Sequence, residues 1–248
     1  MKAMILAAGL GTRLRPLTDT RPKALVEVAG RTLLEITLSR LRHFGVSEVI
    51  INVHHFADMV VEYLEANDNF GIRVEVSRED VLLDTGGGLK RAAHFFLEYP
   101  GNTEPFIVHN VDVISTIDLQ RMMKDHGESH ALATLAVQNR KTSRYLLFDG
   151  QLRLCGRQAG SGQTPEIVRS SGPLQPLAFS GVQVISPQLL TMMDDEGAFS
   201  IIKTYLDLSA RGENILGFQA DQYYWRDMGK PESILQVTED LKNKVLQP

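Results

Sequence analysis

The sequence predicts an α/β protein built on a doubly wound, mixed and mostly parallel sheet, folded as a single domain over residues 1–248. Two observations carry this reading. Through the first 140 residues, short apolar runs alternate with segments of helical periodicity, the pattern of strand–helix–strand units. The 248 residues also show no internal repeat and no linker long enough to separate domains, and α/β folds reach this size as one unit.

In chain order, Ala3–Ala8 is a compact apolar strand that ends at Gly9. Leu33, Leu34, Leu38, Leu41 and Phe44 recur at helical spacing, and Gly45 follows as a stop signal. Glu48–Val53 reads as a strand, Phe56–Ala66 as a helix with Val60, Tyr63 and Leu64 on its apolar face, and Arg73–Val76 as a short strand. Gly87–Leu97 is a helix opened by glycines; Pro105–Val113 is a strand, Leu119–His126 a helix and Ala131–Val137 a strand. Tyr145–Phe148 and Leu152–Cys155 flank Asp149-Gly150 as a hairpin. Gln158–Pro176, rich in Gly, Ser, Gln and Pro, reads as an exposed loop. A strand at Leu177–Ile185, a helix at Ile201–Ala210 and a strand at Ile215–Gln219 follow. The last element is a helix from Pro231 to about Lys244, with proline suited to its first turn.

Bulk properties exclude several classes. The net charge of −4 gives no general attraction for nucleic acid or anionic membrane, so neither is an expected partner. Cys155 is the only cysteine, which rules out an intrachain disulfide and a cysteine zinc site and fits a cytoplasmic protein. The opening MKAMILAAGLG has a short apolar run without an Ala-x-Ala end, so it reads as a buried strand rather than a signal peptide. No stretch approaches the roughly 18 apolar residues of a membrane span.

In open α/β sheets, ligands sit at the carboxyl ends of the strands. Three groups of residues gather there: Gly9-Leu10-Gly11-Thr12-Arg13, Asp84-Thr85-Gly86-Gly87-Gly88, and His109-Asn110-Val111-Asp112. Glycine turns free backbone N–H groups for phosphate oxygens, and a following helix adds partial positive charge. The first run lacks the third glycine of a dinucleotide fingerprint and the Gly-Lys-Ser/Thr of a P-loop. Arg13 offers a forked donor and Lys23 a compact charge after Pro22. Asp112, after the apolar Phe106-Ile107-Val108, can ligate Mg²⁺ or cap a turn, and Asp227 has the same two readings. His109 is either a neighbour of such a metal site or a core residue. No metal-binding histidine pattern, nucleophile elbow or Ser–His–Asp arrangement points to a covalent intermediate.

With these residues in view, LAAGLGTRLRPLTDTRPKALVEVAG (Leu6–Gly30) resembles the signature of the sugar-1-phosphate nucleotidyltransferases. The likeness continues through LLDTGGGLKRA (Leu82–Ala92), VHNVDV (Val108–Val113), AFSGVQVISP (Ala178–Pro187) and WRDMGKPE (Trp225–Glu232). Among short members it is most similar to the N-acetylmuramate-1-phosphate uridylyltransferases and the mannose-1-phosphate guanylyltransferase-like proteins. The resemblance implies a Rossmann-like nucleotide-diphospho-sugar transferase fold with no C-terminal β-helix, a nucleotide-binding half at 1–140 and a sugar-binding half with the C-terminal helix at 141–248. It implies transfer of a nucleoside monophosphate from an NTP to a sugar 1-phosphate, assisted by Mg²⁺, in a monomer or small homo-oligomer.

Carried over by motif, Ala8, Gly9, Gly11, Thr12, Thr85, Gly86 and Gly87 would lie against the nucleotide. Arg13 would hold the departing pyrophosphate, and Lys23 the phosphates around the α-phosphorus. Gly88, Asn110 and Gly181 would lie on the sugar-phosphate side, while Asp112 and Asp227 would hold the metal. Arg15 is expected to face solvent, and base choice is expected to rest on backbone hydrogen bonds near Leu82–Gly88. The chain departs from the family pattern at Val111, where glycine is usual and a side chain is expected to narrow the pocket or shift Asp112. A Glu-Lys-Pro motif is missing, with Pro165-Glu166-Ile167 and Arg169 poor substitutes, and Lys230 stands where threonine is usual. Two other readings follow from the same residues: a catalytically silent nucleotide-sugar-binding regulator, and a cytidylyltransferase acting on a phosphorylated alcohol such as phosphocholine.

Overall fold

The structure, a computed structural model, describes residues 1–99, 101–160, 163–169 and 172–243. In chain order, the first half holds β1 (Lys2–Leu6), a small hairpin β2 (Glu27–Val28) and β3 (Arg31–Thr32), α1 (Leu33–His43), β4 (Glu48–Val53), α2 (Ala57–Ala66) and β5 (Arg73–Arg78). Next come α3 (Asp84–Arg91), α4 (Ala93–Phe96), β6 (Phe106–Asn110), β7 (Val113–Ser115), α5 (Leu119–Ser129) and β8 (Ala133–Gln138). The second half adds β9 (Arg144–Phe148), β10 (Leu154–Ala159), β11 (Glu166–Ile167), β12 (Gln175–Ile185), α6 (Ile201–Ala210), β13 (Ile215–Gln219), β14 (Trp225–Asp227) and α7 (Pro231–Lys242).

The core of the fold is the run β5-β4-β1-β6-β12-β8-β13. Its parallel pairs (β4–β5, β1–β4, β1–β6, β8–β13) and the antiparallel pairs made by β12 leave β12 as the one strand of this run that opposes the rest. β1 sits between β4 and β6 because its apolar residues serve both faces. Ala3 and Ile5 join one core cluster with Leu34, Leu38, Val60 and Met122, whereas Met4 joins the other with Phe95, Phe106 and Tyr205. This is the alternation of a pleated strand buried on both sides. Helices on both faces make the sheet doubly wound. Thr32 caps α1 through its hydroxyl, which accepts from the Glu35 backbone N–H at 3.0 Å. No helix among the described residues is long and apolar enough to cross a membrane.

β12 serves two sheets. Its second half lies between β6 and β8, while Gln175–Leu177 pairs with β9, which continues into β10 and β11. The register shifts between Phe179 and Gln183, and Gly181 sits in that irregularity at φ +73°, a conformation that favours glycine.

Several elements differ from the sequence reading. The helix expected at Gly87–Leu97 starts three residues earlier and breaks at Ala92 into α3 and α4. The strand expected at Pro105–Val113 stops at Asn110, turns through Val111-Asp112 and resumes as β7 in a separate two-stranded sheet with β14. The stretch expected as a loop at Gln158–Pro176 holds the end of β10, all of β11 and the start of β12; residues 161, 162, 170 and 171 lie outside the described residues. The end of α7 expected at Lys244 is likewise outside them.

The glycines of α3 explain its early start. A Cβ on Gly86 would lie 2.5 Å from the Phe199 ring, and one on Gly87 would lie 2.2 Å from the Gly197 carbonyl oxygen. The segment leading into α6 therefore packs directly on the α3 backbone. Gly127, in α5, faces open space. Gly87→Ala is therefore expected to destabilise the fold by about 1–3 kcal/mol, whereas Gly127→Ala should be neutral or stabilise by up to about 1 kcal/mol; urea unfolding compares the two.

His126 is buried between Thr134 Oγ1 at 2.8 Å and Ser186 Oγ at 2.9 Å. Burial lowers its pKa from 6.5 to about 4, and His109 is lowered to about 4 chiefly by burial too. The unfolded chain binds protons near 6.5 that the folded chain refuses, so this stability is full above pH 6.5 and is lost as pH falls toward 4. His126→Gln is expected to flatten the loss of stability between pH 6.5 and 4 relative to the parent, as read by denaturant unfolding along a pH series.

Candidate active site

The carboxyl ends of β1, β4 and β6 open onto two adjoining hollows of about 870 and 430 Å³ that share Leu6, Asp84, Thr85, Asn110 and Asp112. The larger also takes in Arg13, Asp227 and the β9–β11 wall; the smaller takes in Ala7–Gly9, Lys23 and Asn52.

The first glycine loop folds back on itself with backbone N–H groups left free among the described residues. Gly11 adopts φ +65°, and a Cβ there would meet Thr18 Cγ2 at 2.9 Å and Lys23 Cβ at 3.2 Å. The Gly11 carbonyl accepts from the Leu14 N–H at 2.8 Å and the Thr18 hydroxyl at 2.9 Å, which folds the loop back on itself. The backbone N–H groups of Gly9, Leu10, Gly11 and Thr12 donate to no other group among the described residues. Arg13 is exposed at the edge of the larger hollow. Arg15, exposed, pairs with Asp19 at 3.3 Å, in line with its expected place in solvent.

Two carboxylates meet this loop. Val111 N–H donates to the Leu6 carbonyl at 3.1 Å, which ties the turn carrying Asp112 to the end of β1. Met228 N–H donates to the Asp112 carbonyl at 2.7 Å, and β14 pairs with β7 so that Asp227 opposes Val113. The Lys23 ammonium donates to Asp112 Oδ2 in a close, largely buried ion pair. Asp227 Oδ1 accepts from the Gly229 N–H. A Cβ on Gly229 would lie 2.5 Å from both Arg13 Nη2 and Asp227 Oδ1, so these two side chains converge over that glycine. The fold thus brings together Arg13, Lys23, Asp112 and Asp227. Each carboxylate keeps one oxygen outside these bonds, a donor pair that suits a hard divalent cation whose other ligands are phosphates and water. No group of three or more His, Cys, Asp or Glu among the described residues is placed to hold a metal ion together.

A family model described as nucleotidyl transferase matches residues 2–147. The chain belongs to the nucleotidyl transferase family. It is 34% identical to the N-acetylmuramate alpha-1-phosphate uridylyltransferase of Caulobacter vibrioides, over 94% of this chain and 93% of that one. It is 31% identical to the mannose-1-phosphate guanyltransferase beta-B of Xenopus laevis over 95% of its own length, but spans only 63% of that relative. In three dimensions it matches a UDP-glucose pyrophosphorylase solved with UDP-glucose, with a TM-score of 0.79, 16% identity and 98% of each chain covered. That likeness speaks for the fold.

Within this nucleotidyltransferase, Gly86, Gly87 and Gly88, expected at the nucleotide and sugar phosphate, lie in a helix rather than an open turn. They are buried inside α3, and protein fills the space beside them: a Cβ on Gly88 would lie 2.8 Å from Asn52 Nδ2 and 2.9 Å from Glu79 Oε1. Three backbone donors of the Leu82–Gly88 stretch are engaged by other protein groups. Leu83 N–H donates to Glu79 Oε2 at 3.0 Å, and the Gly86 and Gly87 N–H groups reach the Phe199 carbonyl at 2.8 and 3.3 Å. Thr85 does border both hollows, but its hydroxyl accepts from the Ile201 N–H at 3.0 Å.

Asn110 and Gly181 do meet: a Cβ on Gly181 would lie 2.9 Å from Asn110 Nδ2. Val111 is 3% exposed and packs with the core cluster, so its side chain adds to the core where it borders the smaller hollow. His109 is fully buried in β6 with Nδ1 2.8 Å from the Asn110 carbonyl, a core residue rather than a metal neighbour in the cleft. Arg169 donates to the Glu213 carbonyl at 3.3 Å, and Glu166 pairs with Arg157 at 2.6 Å. Sequence reasoning missed the wall residues Arg144, Tyr145, Arg157 and Phe179, and the Asn52–Glu79 pair (2.7 Å) that joins Ala7 N–H to the α3 glycines. The sequence reads Tyr145–Phe148 as a hairpin strand, but its Arg-Tyr-Leu-Leu-Phe run has no period-two alternation to show which side faces a hollow.

The Lys23–Asp112 pair differs in kind from an exposed pair such as Arg78–Asp58. Its side chains are 10% and 19% exposed, against 49% and 80%. Lys23→Met is expected to destabilise the protein by about 1–3 kcal/mol, since it leaves a half-buried carboxylate without its cation. Arg78→Met should cost under about 1 kcal/mol. Urea denaturation at neutral pH checks both.

Proposed function

We propose that this nucleotidyltransferase joins an NTP to a sugar 1-phosphate, forming an NDP-sugar and releasing pyrophosphate. The convergence of Arg13, Lys23, Asp112 and Asp227 on one cleft, beside the unbonded N–H groups of Gly9–Thr12, carries this reading.

The chemistry needs charge management more than proton transfer. An oxygen of the acceptor phosphate attacks the α-phosphorus. The bond from that phosphorus to the bridging oxygen breaks, and its electron pair leaves with pyrophosphate. The acceptor is already an anion, so no general base is required. The obstacle is repulsion, since two unit charges 4 Å apart interact by about 4 kcal/mol at an effective dielectric of 20. Asp112 and Asp227 would hold Mg²⁺, which neutralises phosphate charge and aligns the groups for in-line displacement. The Gly9–Thr12 amides hold phosphate oxygens without bringing a counter-charge of their own. Arg13, converging with Asp227, faces the leaving pyrophosphate. Lys23 exchanges Asp112 for phosphate oxygens around the α-phosphorus as the nucleotide enters. Residues 1–140 supply the nucleotide groups and residues 141–248 the wall on which the sugar rests.

Two pairings head the test because relatives carry those names: UTP with N-acetylmuramate 1-phosphate and GTP with mannose 1-phosphate. A matrix of NTPs against sugar 1-phosphates, scored by pyrophosphate release, is expected to show turnover for at least one pair. Asp112→Ala and Asp227→Asn should each lower it by about 10²–10³-fold, as should chelation of divalent cations. Full turnover by either folded variant, or release of pyrophosphate from NTP without an acceptor product, would sink the reading.

A further inference from the structure

The wall opposite the glycine loop carries more positive charge than its own structure uses. In the β9–β10–β11 ribbon, Leu146 opposes Arg157, Arg144 opposes Ala159, and Arg157 opposes Glu166. Opposed residues share a face, and all five border the larger hollow. Arg157 and Glu166 neutralise one another at 2.6 Å. Arg144 is exposed and makes no ion pair or side-chain hydrogen bond among the described residues.

Its position is well defined. Leu146 pairs with Leu177, so Arg144 lies toward Phe179, two residues further along β12, and Gly181 with Asn110 beside it comes next. That stretch of β12 is braced. Arg140 donates to the Phe179 carbonyl at 2.7 Å and stacks on Trp225, its guanidinium carbon 3.6 Å from the ring centroid, and Trp225 donates to the Ser180 carbonyl at 2.7 Å.

The proposed reaction brings a second anion into the cleft. On the nucleotide side Lys23 lies with Asp112 and Arg13 with Asp227. We infer that Arg144 binds the acceptor, its guanidinium fork gripping the phosphate monoester of the sugar 1-phosphate. The inference rests on the proposed reaction. A guanidinium on a strand suits this task, because its planar donors match two phosphate oxygens and the strand limits their drift.

Steady-state pyrophosphate release by the parent protein, Arg144→Gln and Arg144→Lys tests it, with each substrate varied in turn. Arg144→Gln is expected to raise KM for the sugar 1-phosphate about tenfold or more and to leave KM for the NTP within about twofold. Inorganic phosphate, as a competitor of the acceptor, should inhibit it correspondingly less. Arg144→Lys should recover some of the acceptor KM, since it keeps the charge and loses the fork. An unchanged acceptor KM in Arg144→Gln, or an equal rise for both substrates, overturns the inference while the reaction stands. A rise confined to acceptors that carry a carboxylate overturns the assignment to phosphate. A parent protein silent on every pair overturns the reaction itself and the inference with it.

Discussion

The antiparallel pairing of β7 with β14 is the constraint on which the cleft depends. Asp112 and Asp227 lie in different halves of the chain, and this ribbon sets Asp227 opposite Val113 while the Met228 N–H bonds the Asp112 carbonyl. The ribbon exists because the strand begun by β6 breaks at Asn110: the turn through Val111 stays tied to β1, and the chain that follows leaves the main sheet. The metal-type carboxylates are thus placed by backbone hydrogen bonds rather than by long side chains, which lose more rotamer freedom when they are fixed.

Electrostatics completes what the ribbon begins. Two carboxylates close together repel unless cations join them, and here each has one: Lys23 bonds Asp112 and Arg13 approaches Asp227 over Gly229. The same two cations suit phosphate. The arrangement suits substrate exchange, since a polyanion with its cation can replace the Lys23–Asp112 pair, while Arg13 near Asp227 makes no ion pair among the described residues. Small residues make the geometry feasible: Gly11 leaves room for Lys23, and Gly229 leaves room for Arg13 and Asp227.

Much of this was legible in the sequence. The strands and helices of the first half follow apolar periodicity because both faces of that sheet are covered, so the pattern is strong. That Arg13, Lys23, Asp112 and Asp227 lie together at one cleft was legible because each sits at a strand end or turn of its motif. The packing of the α3 glycines was not legible because a glycine run does not show which segment it admits; Phe199 and the Gly197 carbonyl, which lie against Gly86 and Gly87, are far away in sequence. The hairpin of β9 and early β10 was legible, but the end of β10, β11 and the start of β12 were not, because Gln158–Pro176 has turn composition and those strands exist through pairing with their neighbours. Val111 shows the limit of a one-residue comparison: a side chain where glycine is usual is taken up by the core.

The central claim is direct transfer between two bound anions with no covalent enzyme intermediate. The stereochemistry at the α-phosphorus tests it most directly, using an NTP with sulfur in place of one non-bridging α-oxygen and a sugar 1-phosphate that the protein accepts. One in-line displacement predicts inversion at that phosphorus in the NDP-sugar formed. Retention would mean two displacements through a nucleotidylated side chain, and would contradict the account.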